Sequence, residues 1–142
     1  MDFMKTNRTL LPLLGMLILG LLAACTETDP RPPEEIVAER AQARWNALIE
    51  KTFQNAWKFH TPAYRERTPP DEFEEDLKRR PVQWISAEVQ GASCEADSCE
   101  VDVLVGYRVP VAPAGMSNMG MRRPITERWI EVDGGWWFVP SE

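Results

Sequence analysis

The chain has a single histidine, His60, and only three cysteines in 142 residues. A structural zinc site takes four nitrogen or sulfur ligands, mostly from His and Cys. With Cys25 read below as a lipidation site, one histidine and two thiols, Cys94 and Cys99, do not supply them, and they give little support to a Cys/His or Ser/His/Asp catalytic arrangement. His60 falls near the end of a predicted helix, where a cation is favoured, and reads as a structural or surface residue. Positive charge is also short: 16 Lys and Arg stand against 22 Asp and Glu, a net charge of −6. That balance argues against nucleic acid as a partner and against a polybasic membrane patch. A membrane-spanning helix needs about 20 apolar residues. The main apolar run, Leu10–Ala24, has 15.

That run follows a basic start, Met1–Arg8, in which Lys5 and Arg8 oppose Asp2. A basic start, a short apolar core and small residues before a cut describe a secretory signal peptide; an uncleaved anchor helix is the alternative. Leu22-Ala23-Ala24-Cys25 resembles the lipobox of bacterial lipoproteins. The resemblance implies loss of residues 1–24, a diacylglycerol on the Cys25 thiol, and usually a further acyl chain, such as palmitate, on the new amino group. One acyl chain binds a membrane marginally; two or more hold stably at about 0.8 kcal/mol per buried methylene. Thr26, in place of an aspartate, implies for that family the outer membrane, with the domain facing the periplasm. The remaining 118 residues would carry 14 basic and 21 acidic side chains and all six tryptophans. This is one domain with a small core.

The expected organisation is a signal peptide over 1–24, a lipidated Cys25 with a Pro-rich tether over 25–33, and a folded domain over 34–142. The tether from Thr26 reaches about 25 Å at roughly 3.1 Å per residue. Pro33 with Glu34 and Glu35 suits a helix start. Val37, Ala41, Trp45, Leu48, Ile49, Thr52, Phe53, Ala56 and Trp57 recur at helical spacing, which predicts one long helix to about His60. A short second helix is expected after Thr68–Asp71, with Phe73 and Leu77 buried and Pro81 as its stop.

Beyond Pro81 the apolar period becomes two. Val82–Ala92, Cys99–Val109, Ile125–Val132 and Trp136–Pro140 read as four strands, the last two joined by an Asp-Gly-Gly turn. Helices first and a meander afterwards give an α+β fold on a four-stranded antiparallel sheet. Cys94 and Cys99 flank the first hairpin turn and are expected as a disulfide in an oxidising compartment. Pairing them places Glu88 opposite Val105 and sets Val101, Val103, Val105 and Tyr107 on the face away from Ile85, Ala87 and Val89. Either a bulge near Gly91 reunites the two sets, or both faces of the sheet are partly buried.

Asn55–Phe73 (NAWKFHTPAYRERTPPDEF) and Thr126–Pro140 (TERWIEVDGGWWFVP) resemble the nuclear transport factor 2-like, or SnoaL-like, superfamily, which includes ketosteroid isomerase. The resemblance spans about Glu34 to Pro140. It implies a cone of helices on a curved sheet, often with a pocket and often dimeric. It implies no single activity, because that fold hosts enzymes, binders and interaction modules.

An isomerase-like site would need a carboxylate base and a hydroxyl donor. Under the simple register Glu88 and Tyr107 share a face on adjacent strands and form the candidate pair. Met116, Met119 and Met121 are thioethers suited to Cu(I), or else line a hydrophobic groove. In the C-terminal hairpin one face carries Ile130, Val132, Trp137 and Val139, and is expected to pack on the long helix. The other carries Trp129, Glu131, Trp136 and Phe138. Three aromatics beside a glutamate read as a homodimer or partner-docking surface, or as aromatics covered by the methionine loop or the tether. The function expected is a membrane-anchored envelope lipoprotein that binds an apolar small molecule or an envelope protein without catalysis. The alternative is a small isomerase or hydrolase using the cone pocket. No cofactor is expected.

Overall fold

The computed structural model describes residues 29–110 and 120–141. The lipobox with Cys25, and also Met116 and Met119, lie outside them. Helix α1 spans Pro33–Ile49, with Pro33 in its first turn and Glu34 and Glu35 beside the positive end of the helix dipole. It buries Val37, Ala41, Trp45 and Leu48, as the apolar spacing requires, and packs chiefly on β1 (Gln83–Glu95).

The single long helix to His60 is not what forms. The chain leaves the helix after Ile49 and restarts as α2, Phe53–Trp57. Lys51 turns left-handed at φ 59°. Its N–H donates to Leu48 O at 3.2 Å, and the Thr52 N–H donates to Ala47 O at 2.9 Å. This pair of bonds is a Schellman closure, which usually recruits glycine. Lysine occupies the position here, so composition gives no stop signal. The break turns Phe53 and Ala56 inward toward α4 (Pro70–Arg79). The second expected helix forms as α4, and the segment before it, expected as a break, adds a further short helix. Thr61 Oγ1 accepts from the Tyr64 N–H at the start of α3, Pro62–Arg67. Helix α4, Pro70–Arg79, buries Phe73 and Leu77.

Strands β1, β2 (Ser98–Arg108), β3 (Met121–Val132) and β4 (Gly135–Val139) form one antiparallel sheet in chain order, so the molecule is α+β. Cys94 lies opposite Cys99 and the two form a disulfide. The register slips between Val89 and Gly91, leaving Gln90 as a bulge. Val89 and Ala87 therefore oppose Val103 and Val105 and share their face, while a second slip between Trp84 and Ser86 leaves Ile85 unpaired and exposed and sets Trp84 opposite Tyr107. Of the two readings open for this hairpin, the bulge is the one that forms. The Gln42 side chain meets β1 just before it, donating to Ala87 O at 3.0 Å and accepting from the Val89 N–H at 3.1 Å. A side-chain amide thus stands in for a missing fifth strand at this edge.

The last hairpin turns at Asp133 (φ 52°) and Gly134 (φ 77°) and pairs Val132 with Gly135. Two successive positive φ values are what a two-residue hairpin turn demands. The expected facial partition forms, but the buried face is the other one. Trp129, Trp136 and Phe138 face the helices at 0%, 6% and 9% exposure. Ile130, Val132, Trp137 and Val139 alternate with them and are only half-buried.

Two substitutions test these elements. Lys51→Gly removes a left-handed strain of about 1–2 kcal/mol and adds unfolded-state entropy of about 0.5–1 kcal/mol. Chemical denaturation should show a small net stabilisation. The Cys94→Ser/Cys99→Ser double variant should lose about 2 kcal/mol by the same measurement, the loop-closure value for so short a ring.

Candidate functional site

Seven residues after Val37, helical spacing carries Arg44 onto the buried stripe of α1. Two residues before Trp129, strand alternation carries Glu127 onto the buried face of β3. The two meet in the core, their side chains 9% and 4% exposed. Arg44 Nη1 donates to Glu127 Oε1 at 2.7 Å. Trp45 Nε1 donates to the same oxygen at 2.7 Å, and Trp129 Nε1 donates to Oε2 at 3.1 Å. The carboxylate is thus held by one charged and two neutral donors. The guanidinium is less well served. Its carbon lies 3.6 Å from the Phe138 ring centroid, and its Nε has no hydrogen-bond partner among the described residues. Burial lowers the Arg44 pKa from its ordinary value, and Glu127 opposes that shift.

Beside this pair lies a cavity of about 280 Å³ between the helices and the sheet. Arg44, Glu127 and His60 line it together with Trp45, Tyr64, Phe73, Trp84, Ile125 and Phe138. Arg80 and Ser141 also contribute. A larger groove, about 430 Å³, runs past Phe53, Leu77 and Trp84, and its cations, Lys51, Lys78 and Arg80, are all exposed. The smaller cavity is the candidate site, because a buried and incompletely bonded charge faces it.

His60 reaches the cavity because its segment docks on the free edge of β4. The Phe138 N–H donates to Phe59 O at 2.8 Å, and the Thr61 N–H donates to Phe138 O at 3.3 Å. The ring stacks on Tyr64 at 4.4 Å and meets Phe73 and Phe138 edge-on at 5.0 and 5.2 Å. Its Nδ1 lies 3.1 Å from the Trp57 carbonyl, which can only accept, so Nδ1 carries the hydrogen and Nε2 the lone pair. Burial first, and then the Arg44 charge, lowers the His60 pKa to about 4. The ring is neutral at pH 7 and does not supply the surface cation that its place near a helix end suggested.

The residues singled out in the sequence are elsewhere. Glu88 is exposed on the outer side of the sheet, 3.6 Å from Arg122 Nη2, and pairs with Leu104. Tyr107 pairs with Trp84 and shares the opposite face with Val103 and Val105. The bulge at Gln90 separates the proposed acid–hydroxyl pair by shifting Glu88 one position along β2. Trp129, Trp136 and Phe138 do not form an exposed docking surface; they wall the core beside Glu127. Met121 is exposed at the start of β3. Among the described residues no group of three His, Cys, Asp or Glu is placed to hold a metal ion. Sequence reasoning missed Arg44 and Glu127. The signal was there in their spacing, since both sit at buried positions of their elements.

No protein-family model matches the chain. No curated protein matches it either. Solved structures share its fold, two SEC-C motif containing proteins among them. One is the solution structure of a SEC-C motif containing protein from Rhodopseudomonas palustris, with a TM-score of 0.52 at 17% identity. It covers 70% of this chain and 71% of its own. The other is the crystal structure of a SEC-C motif containing protein from Psychrobacter arcticus, with a TM-score of 0.51 at 13% identity. It covers 68% of this chain, which in turn spans 54% of that protein. These neighbours are described by a SEC-C motif and not as nuclear transport factor 2-like or SnoaL-like proteins. The resemblance to that superfamily is corrected accordingly, and at these identities the likeness concerns the fold alone.

The site has two measurable consequences. Glu127→Gln or Arg44→Met leaves one buried charge uncompensated, and each should cost about 3–5 kcal/mol in denaturant titration. The double change should cost less than the sum of the two. His60 adds a pH dependence. Between pH 4 and 6.5 the unfolded chain binds a proton at His60 and the folded chain does not. Stability therefore falls as pH drops from 6.5 toward 4, by about 3 kcal/mol in all. His60→Phe should flatten that part of the stability-versus-pH curve.

Proposed function

We propose that the protein is a non-catalytic ligand-binding module held on a membrane of the bacterial envelope. The carrying observation is the aromatic-walled cavity lined by a buried guanidinium that forms a single hydrogen bond among the described residues. Small-molecule sites place a few convergent polar groups among apolar walls, and here Arg44, Glu127 and His60 converge beside aromatic side chains. In this reading the bulged sheet curves round the cavity, and Arg44, Glu127 and His60 orient the ligand. Tethering is a separate part of the proposal. The short apolar run ending at Cys25 supports a lipid anchor that holds the domain at the outer membrane, facing the periplasm. The polar, Pro-rich residues after Cys25 provide the spacer.

Each part has its own test. Cys25→Ala should abolish labelling with a radioactive fatty acid and leave an unprocessed precursor in the cell. Normal labelling in that variant would refute the anchor. Protein extracted from membranes should carry a non-covalently bound small molecule in native mass spectrometry. Ile125→Trp, which fills part of the cavity, should release it. A bound molecule unaffected by that change would place binding outside the cavity.

A further inference from the structure

We infer that the cavity takes a small organic anion, a carboxylate on an apolar and preferably aromatic body. This rests on the ligand-binding reading above and adds the chemical class of the ligand. Glu127 accepts from Arg44, Trp45 and Trp129, so its two oxygens are well supplied with donors. The guanidinium has five N–H groups, and one hydrogen bond is formed among the described residues. A buried donor left without an acceptor costs about 1–3 kcal/mol, more when it is charged. The charges of the pair balance, and the shortfall is in hydrogen-bond acceptors on the Arg44 side.

The charges of the lining leave room for an anion but do not demand one. Arg44 is matched by Glu127, and Arg80, which is exposed, is paired with Asp76 at 3.0 Å. His60 adds no positive charge near pH 7. A carboxylate offers two acceptor oxygens in a geometry the guanidinium fork matches. An ammonium ligand would meet Arg44, and a neutral ligand would bring a weaker acceptor. Trp45, Tyr64, Phe73, Trp84 and Phe138 provide apolar walls for a flat body. The volume, about 280 Å³, suits a molecule of one ring and a short chain.

The test uses ¹⁵N-labelled full-length protein in detergent micelles and three probes that share one body: 3-phenylpropanoate, 3-phenylpropanol and 3-phenylpropylamine. The Arg44 Nε–H and Trp45 and Trp129 Nε1–H resonances report on the cavity. The propanoate should shift them saturably, with at least ten-fold higher affinity than the alcohol, and the amine should leave them unmoved. Arg44→Lys keeps the charge beside Glu127 but loses the guanidinium fork, and should weaken propanoate binding at least ten-fold. Should that variant fail to fold, Arg80→Gln in an intact site should weaken binding several-fold. Equal affinity for the alcohol or the amine would overturn the anion class and leave the ligand-binding reading standing. No shift of the cavity resonances with any of the three would overturn both.

Discussion

The Glu127 carboxylate in the core is the interaction on which the rest of the arrangement depends. It gathers Arg44 and Trp45 from α1 and Trp129 from its own strand. All three donors are buried, so each needs the acceptor that Glu127 supplies. Moving α1 along its axis by one turn would strand a carboxylate, a guanidinium and an indole together. The penalty for one uncompensated buried charge is already about 3–5 kcal/mol. Apolar contacts between helix and sheet are nearly indifferent to such a slip; the polar cluster is not. It sets where α1 lies, and so where the walls of the cavity lie.

Two further contacts keep that placement by closing the sheet's edges. Gln42 bonds the outer edge of β1 beside the bulge, and the Phe59–Thr61 segment bonds the outer edge of β4. Exposed strand edges invite pairing with other chains, and here both are partly occupied by the molecule's own groups. Arg40 adds a third tie, donating from Nε to Trp136 O at 2.8 Å. Edge cover and site construction are therefore one event. The segment that blocks β4 is also the one that delivers His60, and the helix that blocks β1 also delivers Arg44.

Strand positions, the meander order and a turn within Asp133–Gly135 were legible because strand alternation and turn chemistry are local. The bulge at Gln90 was one of two readings that the apolar pattern left open once Cys94 and Cys99 were paired. The end of α1 was not legible, because Lys51 occupies a left-handed position that usually declares itself by glycine. The inward face of the last hairpin was misjudged for a physical reason. Ile130, Val132, Trp137 and Val139 form the cleaner apolar set, whereas Trp129, Trp136 and Phe138 share a face with Glu127 and Glu131. Glutamate reads as a sign of solvent. Glu131 is exposed at the strand end, but Glu127 is buried by a cation from a helix more than eighty residues earlier. A pairing so distant in sequence has no local signature. The aromatics then follow Glu127 inward, because their indoles and rings surround the pair. The Glu88 and Tyr107 pairing failed through register alone, since a shift of one residue exchanges the faces of a strand.

The fold shared with the two SEC-C motif containing proteins describes a scaffold, and a scaffold of this kind does not specify an activity. The chemistry has to be sought where this chain departs from what stability alone would select. Replacing a buried ion pair with packed apolar residues is often neutral or stabilising by about 1–4 kcal/mol. Filling an apolar-walled space also stabilises, roughly in proportion to the volume filled. Here a buried ion pair and an unfilled cavity of about 280 Å³ adjoin each other. The Arg44 guanidinium lines that cavity and forms a single hydrogen bond among the described residues. Fixing the position of α1 accounts for Glu127 and its three donors. It does not account for the space, nor for the guanidinium N–H groups left without acceptors. The proposed ligand, a molecule with an acceptor group in the cavity, would account for both.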